Sequence, residues 1–171
     1  ISVESLKNKL NRLRSKGRKC FVVVATAGTT VRGAIDPLKE VGDLCAREGI
    51  WMHVDGAIGG VFALSQKTAS LVNGISVANS ITLNPQKLLG ITKTSSLLLV
   101  ANRSSLISTF STGLPYIEPA WGEETHGGEM GLQGTRPAEV LKLWLGLRQL
   151  GLNGIERLLE ESIERRCYFE K

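Results

Sequence analysis

Phe21-Val22-Val23-Val24-Ala25 is short, β-branched and free of polar residues, and Thr26-Ala27-Gly28-Thr29-Thr30 breaks it at once. A run of that kind predicts a strand buried on both faces. Further apolar runs follow at Ile50-Trp51-Met52-His53-Val54, at residues 80–83 and at residues 95–100. Between and around them the spacing changes to that of helices. Residues 3–16 carry Leu6, Leu10 and Leu13 on one stripe and stop at Gly17. Leu38, Val41, Leu44 and Cys45 continue at helical spacing to Gly49, and Asp36 before Pro37 reads as an N-cap with proline in the first helical position. Residues 137–150 and 152–168 form two closing helical patterns on either side of Gly151. Strands alternating with helices predict an α/β fold, a mostly parallel sheet with flanking helices. Residues 102–134 lose any period and are rich in Ser, Gly and Pro, so a long lid or substrate loop is expected there.

Composition sets the outer limits. The chain has 171 residues, 42% hydrophobic and 22% charged, which suits one globular domain. Its net charge of +5 is concentrated in the first 19 residues, where Lys7, Lys9, Arg12, Arg14, Lys16, Arg18 and Lys19 face only Glu4. No aromatic residues interleave with these cations, so they read as a solvated helix face and not as a nucleic-acid surface. Cys20, Cys45 and Cys167 lack the paired spacings of zinc or redox sites, and their odd number fits a reducing compartment. No apolar run approaches the roughly 20 residues that span a bilayer, and the first residues lack the pattern of a signal peptide. A cytoplasmic location is expected. The chain begins with Ile and ends inside a charged helical pattern, so it is read as a piece of a longer protein.

In open α/β sheets ligands bind outside the carboxyl ends of the strands. Three polar clusters occupy such ends: Gly28-Thr29-Thr30, then Asp55, then Asn84-Pro85-Gln86-Lys87. They are expected to converge on one crevice, where a lysine and a carboxylate in this arrangement suggest pyridoxal phosphate. His53 shares a strand face with Asp55 and is read as support, not as a catalyst. A Rossmann-type nucleotide binder is disfavoured because no G-x-G-x-x-G follows any strand.

Four ordered stretches carry a resemblance. They are Ala25-Thr26-Ala27-Gly28-Thr29-Thr30 leading to Gly33-Ala34-Ile35-Asp36-Pro37; Trp51-Met52-His53-Val54-Asp55-Gly56-Ala57; Asn84-Pro85-Gln86-Lys87; and Gly134-Thr135-Arg136 leading to Leu141-Lys142-Leu143-Trp144. Together they resemble the group II pyridoxal-phosphate-dependent amino-acid decarboxylases, which include glutamate, cysteine-sulfinate and aromatic amino-acid decarboxylases. The resemblance implies the fold-type I transferase fold, with residues 1–171 forming part of its large cofactor-binding domain. It implies a carboxy-lyase acting on an L-amino acid, glutamate-like or related, and a homodimer for the full-length protein.

Residue by residue, Lys87 resembles the Schiff-base lysine, a role that needs an amine able to lose its proton. Asp55 resembles the partner of the pyridine nitrogen, where a carboxylate favours the protonated ring. Ala57 resembles the small side chain under the ring. Thr30 and Asp36 match positions near the cofactor, although a turn residue and a helix cap explain them equally. Asn84 resembles a phosphate contact. Gln86 departs from the family, which usually has histidine there; a glutamine still donates a hydrogen bond but carries no charge. Arg136 matches a substrate-carboxylate arginine or a loop tie, and Tyr116 is the tyrosine of the expected substrate loop, near Trp121 and His126. The family's ring-stacking histidine, its phosphate-cradling Ser/Thr loop and its small C-terminal domain have no counterpart in these residues. Alone, the piece is expected to be inactive or aggregation-prone. Two alternatives stay open: another fold-type I reaction (transamination or carbon-carbon lysis), or a fragment that no longer binds the cofactor.

Overall fold

The computed structural model describes residues 1–93, 95–114, 128 and 130–171. In chain order its elements are α1 (Val3–Arg14), β1 (Val22–Thr26), α2 (Leu38–Glu48) and β2 (Trp51–Asp55). Three short 3-10 turns follow at Gly59–Leu64, Ala69–Val72 and Ile75–Val77, then β3 (Ser80–Leu83), β4 (Leu97–Val100), α3 (Arg103–Phe110) and α4 (Val140–Phe169). The residues divide into two compact units, one of Ile1–Leu99 with Glu139–Lys171 and the other of Val100–Ala138.

In the first unit the strands lie side by side in the order β1-β2-β3-β4. β1 pairs with β2 and β2 with β3, both in parallel, which sets Thr26 beside Asp55 and Asp55 beside Thr82. Parallel pairing turns the three carboxyl ends the same way, which is what brings the polar clusters together. α2 presents Leu38, Val41, Leu44 and Cys45 to the alternate residues Val23, Ala25, Met52 and Val54, and all eight are buried. Burying side chains of the size of Leu38, Met52 and Val54 contributes about 1.5–3 kcal/mol apiece. The helix expected after Asp36-Pro37 and the strand at residues 80–83 are found with those bounds to within a residue.

Three expectations are corrected. β1 is not buried on both faces: Val23 and Ala25 are covered while Val24 is 52% exposed, because the helices packed on it lie on one side of the sheet among the described residues. Asp36 does not cap α2, whose N-cap is Pro37 without a side-chain bond. Its carboxylate is drawn instead to the end of β1, where Oδ2 accepts from Thr26 N at 2.8 Å. The stretch 102–134 is not a loop throughout, since the second unit contains α3, capped by Asn102 Oδ1 accepting from Ser104 N at 3.0 Å.

α4 is two helices end to end. Gly151, at φ 61° and ψ 174°, interrupts it in a backbone region open only to glycine. Beyond the break Ile155 and Leu159 are buried with Val61, Leu89 and Ile91 in a second, smaller core. Ser65 Oγ donates to Glu156 Oε1 at 2.9 Å and Lys67 pairs with Glu160, which fasten this half of the helix down. Before the break Val140, Leu141, Trp144 and Leu145 are exposed.

Candidate active site

The first wall of the site is the turn after β1. Gly28 N and Thr29 N both donate to Ala34 O, at 3.1 and 3.0 Å, and Ala34 N donates to Thr29 Oγ1 at 3.0 Å. These bonds fold residues 28–34 back on themselves. Asp36 closes the fold from the other side, with its N–H donating to Thr26 O at 2.9 Å while its carboxylate holds Thr26 N.

The second wall is the turn after β2. Ala27 N donates to Asp55 O at 2.8 Å and Gly59 N donates to Ala27 O at 2.9 Å, so the two strand ends are stitched together. The stitch needs glycine, because a Cβ at residue 59 would stand 2.7 Å from Ala27 O. Asp55 Oδ1 accepts from Ala57 N at 3.1 Å. Oδ2 has no hydrogen-bond partner among the described residues.

Lys87 comes from the third wall. The turn after β3 is closed by Lys87 N donating to Asn84 O at 3.0 Å and anchored by the buried side chains of Leu89 and Ile91. This leaves the Lys87 side chain exposed, and its ammonium has no hydrogen bond or ion pair among the described residues.

The three walls enclose a cavity of about 240 Å³. β1 and its turn contribute Thr26, Gly28, Thr29 and Thr30; the second wall contributes Asp55, Ala57 and Ile58; the third contributes Lys87. Of the residues expected around a cofactor, Lys87, Asp55, Ala57 and Thr30 therefore meet in one place. Asn84 and Gln86 sit in the lysine's turn without lining the cavity, and Gln86 Oε1 is buried without a partner among the described residues. Arg136 belongs to the second unit, where its guanidinium donates to Gln133 O at 3.1 Å. Tyr116, Trp121 and His126 lie outside the described residues. Thr26, Gly28, Thr29 and Ile58 were not singled out as individual site residues by the sequence; Thr29 was visible as part of a polar strand end, whereas nothing local marks Ile58.

A larger groove of about 520 Å³ lies between the second core and α4, lined by Leu83, Leu89, Leu143, Leu147 and other apolar side chains, with Arg148 its one charged residue. It offers no nucleophile, acid or base. In the smaller cavity, by contrast, an amine and a carboxylate line the same space without an ion pair between them.

The family model described as the pyridoxal-dependent decarboxylase conserved domain matches residues 1–171. An aromatic-L-amino-acid decarboxylase of Bacillus atrophaeus is 36% identical over 166 residues, 95% of this chain and 35% of that protein. A cysteine sulfinic acid decarboxylase of Homo sapiens is 36% identical over 163 residues, 93% of this chain and 33% of that protein. Among solved structures, mouse CSAD in apo form superposes with a TM-score of 0.89 at 34% identity, covering 98% of this chain and 35% of that one. Oryza sativa TDC with PLP and tryptamine gives 0.85 at 27% identity, covering 92% and 33%. The chain thus spans about a third of the length of these relatives. With a match over its whole length and a parallel sheet whose strand ends carry the matching motifs, the chain belongs to the pyridoxal-dependent decarboxylase family.

Proposed function

We propose that these residues are the lysine-bearing part of a pyridoxal-phosphate-dependent decarboxylase of an L-amino acid. The observation that carries this reading is the unpaired Lys87 amine and the free Asp55 carboxylate oxygen lining one cavity. Opposite charges in reach of each other ordinarily close into an ion pair; held apart, they suit a flat group with an aldehyde at one end and a basic ring nitrogen at the other. The bound cofactor would supply an electron-withdrawing ring that weakens the bond to the departing carboxylate.

The chain's own residues would do the rest. Lys87 supplies the amine that holds the aldehyde end, and Asp55 keeps a proton on the ring nitrogen by offering that proton a fixed negative partner. Ala57, being small, leaves room for the ring face. Thr30 supplies a hydroxyl at the cavity wall; Asn84 and Gln86, in the lysine's turn and outside the cavity lining, carry amide N–H groups that would reach an anionic phosphate oxygen only at the edge of the site.

The reading extends to location and assembly. Cys20, Cys45 and Cys167 are all free thiols, which supports a cytoplasmic setting. No described helix is long and apolar enough to cross a membrane. Clustered exposed apolar side chains are ordinarily covered, and Val140, Leu141, Trp144 and Leu145 on the first half of α4 support burial against more protein, a homodimer in the complete molecule. The neutral Gln86 favours one second reading, transamination or carbon-carbon lysis in the same cavity.

The full-length protein tests this directly. With pyridoxal phosphate it should show visible absorbance that a Lys87→Ala variant loses; retention by the variant overturns the lysine assignment. Carbon dioxide release across a panel of amino acids separates decarboxylation from the second reading.

A further inference from the structure

His53 stands two residues before Asp55 on β2, so both side chains project from the same face of the sheet. Both ring nitrogens of His53 are engaged: Nδ1 lies 2.7 Å from Ser80 Oγ and Nε2 lies 3.1 Å from Thr82 Oγ1. Ser80 Oγ also accepts the Trp51 indole N–H at 2.9 Å. The four side chains form one hydrogen-bonded row across β2 and β3, from Trp51 through Ser80 and His53 to Thr82.

The direction of the row follows from its first donor. An indole nitrogen only donates, so Ser80 accepts from Trp51 and keeps its own proton to give. Ser80 is 7% exposed, and a buried hydroxyl proton needs an acceptor. Nδ1 of His53 is that acceptor, which puts the ring proton on Nε2 and directs it to Thr82. Thr82 in turn accepts from His53 and retains a proton of its own. It is the register partner of Asp55, the carboxylate whose Oδ2 is free.

We propose that His53 is a positioning residue for Asp55: by bonding Thr82, the register partner that shares a sheet face with Asp55, it fixes the side chain flanking the carboxylate and so limits how Asp55 turns toward the cavity. The inference rests on the reading of Asp55 as the partner of a cofactor ring. It assigns no chemical step to His53, which does not line the cavity.

The test is a set of double-mutant cycles in the full-length protein, read as the dissociation constant for added pyridoxal phosphate. His53→Phe removes both ring bonds, and Thr82→Val removes one while keeping shape, so a folded variant is available even where the first is lost. Each is made with Asp55 and with Asp55→Asn. Residues acting through one another are non-additive, so each change should weaken binding by about fivefold or more with Asp55 present and less than about twofold without it. Equal weakening in both backgrounds, as a merely structural role gives, overturns the proposal, and so does no weakening in either. An Asp55→Asn change that alone leaves the constant untouched overturns the cofactor reading itself, in an arm where His53 and Thr82 are intact.

Discussion

Asp36 and Thr26 are bonded in both directions, carboxylate to backbone N–H at 2.8 Å and backbone N–H to backbone carbonyl at 2.9 Å. A residue placed by the sequence at the start of a helix is instead the clasp of a strand end. Asp36→Ala should therefore lower stability by about 1.5–3 kcal/mol, the range for a hydrogen bond to a charged group. Loss of a mere helix cap would cost about 1 kcal/mol. Urea unfolding of the cofactor-free full-length protein distinguishes the two figures.

Ala57 lines the cavity between the strand ends of β1 and β2 and is half-buried. Ala57→Leu fills the space required by a ring while leaving both cores untouched. The expected result is at least about a tenfold loss of pyridoxal phosphate affinity, about 1.4 kcal/mol, with little change in the thermal midpoint of the cofactor-free protein. Titration followed by absorbance, beside a melt of the same sample, checks both halves.

Gly59 is where two strand ends touch. A Cβ there would sit 2.7 Å from Ala27 O, and backbone cannot step aside as a flexible side chain does. Gly59→Ala should cost about 1–3 kcal/mol, in the range of overpacking. Gly131→Ala, where an added Cβ meets nothing within 4 Å, should change stability by no more than about 0.5 kcal/mol. Chemical denaturation of the pair isolates the contact from glycine replacement in general.

Burial pushes the Cys45 thiol above the ordinary thiol range, and nearby Cys20 raises it further. Cys45 is 1% exposed, whereas Cys167 on α4 is open to solvent. Iodoacetamide labelling read by mass spectrometry should modify Cys167 first and Cys45 last. The unfolded chain releases the Cys45 proton more easily than the folded one. The contribution to stability is therefore complete below the ordinary thiol value of about 8.5 and is lost as pH climbs through the raised folded value. A Cys45→Ala variant should show a shallower decline in that alkaline window.

Much of this was legible because local and tertiary signals agreed. The apolar run and flanking polar residues marked β3, and Gly151 between two helical patterns marked the break in α4. Helix α3 was hidden because its residues, Arg-Ser-Ser-Leu-Ile-Ser-Thr-Phe, have no apolar stripe, and none of them is buried. Asp36 was misread because aspartate before proline carries a local signal that a strand end ten residues earlier outcompetes. At the site, the strand-end argument brought Lys87 and Asp55 to one cavity. The contribution of Ile58 depends on how the second turn packs against the first, and no neighbouring residue announces that.

The sheet has one further consequence, for how the chain is made. Its four strands lie in the sheet in the order in which they occur in the chain. Among the described strands, each one after β1 therefore finds one sheet neighbour already synthesised when it leaves the ribosome. Pairing at a separation of about 30 residues keeps each closure modest in entropy, so the sheet can grow from one edge to the other as synthesis proceeds.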